Sequence, residues 1–115
     1  MQIVLCTSDR AYFARYSEED KLLPDGSMVG FPVPWWYVDA GCVLMSILYA
    51  AVDEGLSAGF TGTRRLDDLR QLLDIPADVV PVGIVTLGHA AGDLRSPSLK
   101  RGRKPFEEFV RHERW

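Results

Sequence analysis

The chain has 115 residues, of which 47% are hydrophobic and 25% are charged, and this composition is typical of one soluble globular domain. Its net charge of -3 at pH 7 argues against a dedicated nucleic-acid binder, which normally carries a basic surface. Cys6 and Cys42 show neither metal-ligand nor redox spacing and nothing near Met1 resembles a signal peptide, so we predict no metal site and a reducing, cytoplasmic setting.

The first predicted element is a short strand over Gln2–Thr7, because a run of apolar residues there is bounded by polar ones. Residues 8–34 are polar and then rich in glycine and proline. Tyr12, Phe13 and Tyr16 have helical spacing within them, which predicts a short helix followed by an irregular segment. A buried strand so close to the first residue is unusual for a complete domain and suggests a fragment.

A long helix is predicted from Asp39 to Glu54. Asp39 is expected to cap its first turn, and Gly55 is expected to end it in the left-handed conformation. Residues 40–51 are apolar on every side, which predicts a helix buried all round. Because a short chain has little mass with which to cover such a helix, we expect a second polypeptide to cover part of it. The apolar run is shorter than the roughly 20 residues that span a bilayer, so no membrane segment is predicted.

The second half of the chain alternates short elements. Residues 56–60 form a short apolar passage, a turn at Thr61–Thr63 is expected to cap a helix over Arg64–Leu73, and Val79–Leu87 predicts a second buried strand. Residues 91–104 are expected to form an extended loop. That loop holds five of the thirteen cations with no acid between Arg95 and Lys104.

Two groups in this half are candidates for ligand binding. Arg101 and Arg103 lie two positions apart, so in an extended segment both guanidinium groups would project to one side and suit a phosphate. A solvated loop is the alternative, and it is the commoner fate of such a run. The turn Thr61, Gly62 and Thr63 could offer backbone N–H groups to a ligand, or it could be an ordinary helix cap.

Other polar and aromatic residues are assigned structural roles. His89 and His112 have no cysteine or carboxylate at ligand or triad spacing, so we predict that both are structural or surface histidines. The aromatic residues Trp35, Trp36 and Tyr37 are expected to pack at the head of the long helix rather than to stack on a ligand.

The order and spacing of several short motifs resemble the C-terminal half of the nitroreductase family of FMN-dependent oxidoreductases. The resemblance covers essentially the whole chain. The motifs are residues 39–41, 53–56, 60–62, 72–76, 81–88, 102–110 and 113–115, with the last of them ending in Glu113, Arg114 and Trp115.

The resemblance implies an α+β sandwich that dimerises through long central helices, with FMN in a cleft at the interface. By resemblance, Arg103 and Arg101 would contact the flavin phosphate. Gly62, flanked by Thr61 and Thr63, would offer its N–H near the reactive N5 atom of the flavin. The implied activity is hydride transfer from a reduced nicotinamide or deazaflavin donor to a nitroaromatic, quinone or related acceptor, with the flavin carrying the redox chemistry.

The chain also departs from the family. The Arg-x-Ser-x-Arg and Pro-Ser-x-x-Asn segments that bind the flavin in family members are absent, so we describe residues 1–115 as a single nitroreductase-like domain without its usual N-terminal flavin-binding segment. A homodimer or a complementary N-terminal nitroreductase-like chain is the expected partner, without nucleic acid or membrane. The alternative function is a non-catalytic nitroreductase-like interaction subunit that has lost the flavin.

Overall fold

A computed structural model of the chain describes residues 1–92 and 96–114. Helices and strands are mixed along the chain, which confirms the predicted α+β class. The strands are β1 (Gln2–Thr7), β2 (Ser57–Thr61) and β3 (Val80–Gly88), and the helices are α1 (Asp9–Tyr16), α2 (Trp35–Asp53), α3 (Leu66–Leu73) and α4 (Phe106–Phe109). Short 3-10 turns cover Glu19–Lys21 and Pro97–Arg101.

The three strands form one antiparallel sheet in the order β1, β3, β2. Burial alternates along the central strand β3 with the period of two expected of a strand. Pro81, Gly83 and Val85 are buried, and the residues between them are only partly buried. Leu5 of β1 lies opposite Gly83, and Phe60 of β2 lies opposite Val85. These residues therefore share one face of the sheet.

Helices cover the two faces of the sheet unequally. The long helix α2 contacts all three strands, and Leu5 lines a groove together with Ala40 of α2, so α2 lies on the face that bears Leu5 and Val85. On the opposite face Ile84 lies in a groove with Leu69 of α3. Val85 has no exposed surface and marks the centre of the small core.

The ends of α2 agree with the sequence only in part. The prediction that Asp39 caps the helix is wrong, because the helix begins four residues earlier, at Trp35, with Pro34 at the N-cap position and no side-chain cap. The predicted end at Gly55 is confirmed. Gly55 has φ of 68°, its N–H donates to the Val52 carbonyl at 3.0 Å, and the next N–H donates to Ala51 at 2.8 Å, which completes a Schellman motif.

The burial predicted on every side of α2 does not occur within this chain. Ala40 and Ala51 are its buried residues, because a three-stranded sheet covers one side only. On the side of α2 that faces away from the sheet, exposed side chains form a row at alternating spacings of three and four residues. We call this row the α2 stripe. It consists of Trp35, Val38, Cys42, Met45, Tyr49 and Val52. By length and composition alone α2 could also cross a membrane, a test that core helices of soluble proteins pass as well.

Three further boundaries differ from the sequence prediction. The short apolar passage predicted over residues 56–60, to which no strand was assigned, is the edge strand β2 over Ser57–Thr61, because pairing with β3 overrides the weak strand preference of Ser57 and Gly59. Helix α3 starts at Leu66 instead of Arg64. The loop predicted as extended over residues 91–104 contains a 3-10 turn, whose cap Ser96 accepts a hydrogen bond from the Ser98 N–H at 3.3 Å.

The described part of the chain is far less compact than a folded domain of its size. The radius of gyration is 19.0 Å, whereas a compact domain of 115 residues has a value of about 13 Å. Every described residue from 96 to 109 is exposed, including Leu99, Phe106 and Phe109. The cation Arg95 and the terminal Trp115 lie outside the described residues.

Candidate functional site

The turn formed by Thr61, Gly62 and Thr63 lies where edge strand β2 ends. Thr61 is the last residue of the strand and pairs with Ile84 of β3. Its hydroxyl donates to the Gly62 carbonyl at 3.2 Å, and the Thr63 hydroxyl accepts from the Arg65 N–H at 3.0 Å. These local bonds hold the turn in one conformation while Thr61 and Gly62 remain exposed.

The turn does not cap helix α3 as predicted. The N-cap residue is Arg65, which makes no side-chain cap bond, and its guanidinium instead pairs with Asp68 in the first turn. Arg64 and Arg65 therefore separate the turn from the first residue of α3. Thr63 also lines a groove of about 300 Å³ in which Leu69, Leu72 and Ile84 supply the apolar walls.

Gly62 leaves room for a ligand beside the backbone. A Cβ atom placed there would meet no heavy atom within 4 Å, and the φ of Gly62 lies outside the left-handed region. The chain fold therefore does not itself require glycine at this position. Without a side chain, the backbone at Gly62 is open to close approach by another group.

Arg101 and Arg103 flank Gly102 in the exposed C-terminal segment. The extended geometry expected of this run is wrong, since Arg101 ends a 3-10 turn and Gly102 has φ of 72°. Neither guanidinium group forms an ion pair or hydrogen bond with another described residue. Lys104, by contrast, lies 3.7 Å from the Glu108 carboxylate.

The structure does not bring the two candidate groups together into one cavity. The groove beside the turn is lined by Thr63 but by neither Arg101 nor Arg103. Three further grooves on the described residues are lined by none of Thr63, Arg101 and Arg103. Both groups are exposed, and each presents donors to solvent. A ligand that contacts both would need further protein around it.

A groove of about 500 Å³ between β1, α1 and α2 was not predicted from the sequence. Leu5, Tyr12, Arg15, Trp36 and Val43 are among its lining residues. The ring centroids of Trp36 and Tyr12 lie 6.0 Å apart. The backbone carbonyl of Trp36 accepts a hydrogen bond from the Thr7 hydroxyl at 2.9 Å. The predicted packing at the head of the long helix is thus confirmed for Trp36 but wrong for Trp35 and Tyr37, which are both exposed.

Two pKa shifts in and near this groove have local physical causes. Desolvation raises the pKa of the Tyr12 hydroxyl, and the neighbouring Tyr16, whose ring stacks on that of Tyr12 at 5.1 Å, acts in the same direction. Hydrogen bonds from Arg15 lower the pKa of the Asp20 carboxyl, with both N···O distances at 2.8 Å. Because this pair is exposed, it contributes little to stability. No charged group is left unpaired and buried here.

The family model described as the nitroreductase family matches residues 32–89, which is half of the chain. The chain therefore belongs to the nitroreductase family. The matched span runs from the entry into α2 through the turn at Thr61–Thr63 and to the end of β3. It does not include Arg101 or Arg103.

A curated relative and two solved structures agree with this assignment. A "Putative NADH dehydrogenase/NAD(P)H nitroreductase" of Methanothermobacter thermautotrophicus is 35% identical over 71 residues, which cover 58% of this chain and 37% of the relative. A nitroreductase family protein from Clostridium difficile 630 matches with a TM-score of 0.65 and 20% identity over 99% of this chain and 59% of its own. NfrA1 of B. megaterium matches with a TM-score of 0.71 and 23% identity over 99% and 45%.

These matches also define how much of the fold is present. The chain spans between 37% and 59% of the length of these three relatives. The two structural likenesses extend over almost all of this chain, so its elements have counterparts there even though the sheet and core are small. The shortfall agrees with the large radius of gyration and with the exposed stripe on α2.

Proposed function

We propose that this chain forms one side of the FMN site of an NAD(P)H-dependent oxidoreductase of nitroreductase type. The observation that carries the proposal is the family match over residues 32–89, which includes both α2 and the turn that bears Gly62. The printed name of the curated relative, which includes NAD(P)H nitroreductase, supports the nicotinamide donor. A nitroaromatic, a quinone or a related compound would be the acceptor.

The turn at Thr61–Thr63 would receive the flavin ring. Open space beside Gly62 supports this role, since a planar ring could contact the N–H of that residue without meeting a side chain. When bound, FMN would supply the redox chemistry by accepting a hydride and passing electrons to the acceptor. The chain's own part is to bind and orient the ring, so no side chain of this chain is proposed as an acid or base.

Arg101 and Arg103 would hold the phosphate of the flavin. Both guanidinium groups are free of partners among the described residues, and a fork of donors suits phosphate oxygens better than a single ammonium group. The exposed segment around them would have to meet the ring-binding turn in an assembled protein. This requirement links flavin binding to assembly.

The rest of the flavin cradle would come from polypeptide outside these 115 residues. Either a second copy of the chain or a complementary N-terminal nitroreductase-like chain would cover the α2 stripe, whose spacing of three and four residues suits packing against another helix. We place the assembled protein in the cytoplasm. A core-helix role for α2 accounts for its apolar composition without a membrane.

A non-catalytic interaction subunit is the second candidate function. It is favoured by one observation, namely that Arg101 and Arg103 line none of the described grooves. In that case α2 and the sheet would offer the family's fold to a partner while no flavin binds. A colourless assembled protein would support this candidate.

Alanine substitutions in the cationic segment test the proposed phosphate site. In the assembled protein, Arg101→Ala or Arg103→Ala should weaken FMN binding by about 1.5 to 3 kcal/mol, the scale of a charge-assisted hydrogen bond. Lys100→Ala is the matched control, because it removes a cation from the same segment without removing a proposed contact. Fluorescence titration with FMN measures the three variants beside the unaltered protein.

The pattern of the three effects decides the test. Small and equal changes at all three positions would mean that the segment acts as a solvated cationic loop. Failure of the unaltered assembled protein to bind FMN would remove the oxidoreductase proposal and favour the non-catalytic subunit.

A further inference from the structure

A contact in the middle of the sheet restricts what residue 83 can be. Gly83 lies on β3, on the face that also bears Phe60 of the neighbouring strand β2. A Cβ atom built on Gly83 would lie 2.5 Å from both Cε2 and Cζ of Phe60 and 2.8 Å from the carbonyl oxygen of Thr61. Gly83 has no positive φ, so packing rather than backbone conformation requires glycine there.

Of these two neighbours the carbonyl is the less able to move. The Phe60 ring is 41% exposed and belongs to a side chain that can rotate, whereas the Thr61 carbonyl is part of the backbone of a paired strand. Even close C–H···O contacts lie at about 3.3 to 3.6 Å, so a methyl group on residue 83 would push this oxygen by roughly 0.5 Å or more.

The Thr61 carbonyl is rigidly joined to the donor that the proposed flavin site uses. The C=O of Thr61 and the N–H of Gly62 belong to one planar peptide unit and point in opposite directions from it. Any displacement or rotation of the carbonyl therefore moves the Gly62 N–H as well. A Cβ atom on residue 83 would press on this peptide from the side of β3, whereas the ligand would approach Gly62 from the open side.

We infer that Gly83 is a positioning residue. Because it has no side chain, Phe60 and the Thr61 carbonyl can pack directly against β3. This packing fixes the direction in which the Gly62 N–H points toward the flavin. This inference rests on the proposed function for its ligand, but its geometric part concerns the free chain. The principle is that a donor misplaced by a fraction of an ångström loses much of its effect on a bound group.

The test compares two glycine-to-alanine changes in the same sheet. Gly83→Ala should shift the amide cross-peak of Gly62 in a proton–nitrogen correlation spectrum of the 115-residue chain, and it should weaken FMN binding by the assembled protein by about tenfold, the value of one hydrogen bond. Gly59→Ala is the matched control. Its Cβ would lie 3.5 Å from the Thr86 hydroxyl, an ordinary contact, so the cross-peak should stay and FMN affinity should change less than twofold.

A double variant separates the carbonyl from the ring and protects the test against misfolding. Phe60→Leu combined with Gly83→Ala relieves the contact with the ring but leaves the contact with Thr61. The double variant should therefore fold like the unaltered chain. Its Gly62 cross-peak should remain shifted from that of Phe60→Leu alone, which lacks the same ring, and its FMN binding should remain weaker than that of Phe60→Leu. A double variant that matches Phe60→Leu in both signals would overturn the inference, because the ring alone would then explain the effect of Gly83→Ala.

The remaining outcomes are also decisive. An unshifted Gly62 cross-peak in Gly83→Ala overturns the positioning role whether or not FMN binds. A shifted cross-peak with unchanged FMN affinity overturns it as well. If the unaltered assembled protein binds no FMN, both the proposed function and the role of Gly83 in flavin binding are wrong. Titration of the unaltered protein with FMN identifies this case without any variant.

Discussion

Polypeptide that carries the absent flavin-binding segments should lower the FMN dissociation constant of this chain by at least about 100-fold. The chain spans 37% to 59% of the relatives described above, and its candidate flavin contacts are exposed and spread over separate surfaces. Restoring two charge-assisted contacts, at about 1.5 to 3 kcal/mol each, accounts for a change of this size. The measurement is a fluorescence titration of FMN into the 115-residue chain alone and into the chain co-expressed with, or fused to, a family N-terminal half.

The control for this experiment is the same complementation with both arginines removed. If Arg101 and Arg103 hold the phosphate, the double alanine variant should associate with the added polypeptide but recover only part of the FMN affinity. Reductase activity with a reduced nicotinamide should follow the recovered flavin. Submicromolar FMN binding by the 115-residue chain alone would contradict the prediction, since it would show that this part of the fold is sufficient.

The fold was predictable where the sequence carries local signals. The strands β1 and β3 follow from continuous apolar runs, and the end of α2 follows from Gly55, whose φ of 68° suits glycine. Strand β2 was missed because its glycine and serine disfavour a strand and only pairing with β3 makes it one. The start of α2 was misplaced because Asp39 looks like a cap, although the preceding aromatic residues continue the helix back to Pro34.

The candidate site was only partly predictable, because part of it depends on contacts between residues that are far apart along the chain. The turn around Gly62 could be selected from its glycine and its place between two elements, and the structure adds that the glycine faces open space. The role of Gly83 could not be found in the sequence, because it depends on a contact between residues 22 positions apart along the chain. The arginine pair was selected on a geometry that proved wrong, although neither arginine has an ion-pair partner among residues 1–92 and 96–114, which keeps the pair a candidate.

A single charge in the α2 stripe should dissociate the assembled protein. Met45 lies in the middle of the stripe and is 46% exposed, and Tyr49 and Val52, both 70% exposed, extend the same face. Met45→Glu would place an unpaired carboxylate where we propose that another helix packs, at a cost of several kcal/mol, and a two-fold interface would meet that cost twice. Sedimentation at micromolar concentration should show the dissociation constant of the assembly rising by at least about 1,000-fold, equivalent to about 4 kcal/mol.

Ala50→Glu is the matched control for this change. Ala50 is also exposed on α2 but lies to the side of the stripe, and alanine, methionine and glutamate all favour helix, so the helix itself should tolerate both substitutions. Cys42 gives an independent measurement, because it is an exposed member of the stripe and should react with an alkylating reagent much faster in Met45→Glu than in the unaltered assembly. A well-folded monomer of the unaltered chain, with Cys42 fully reactive at every concentration and in the presence of the complementary half, would show that this face of α2 has no helical partner.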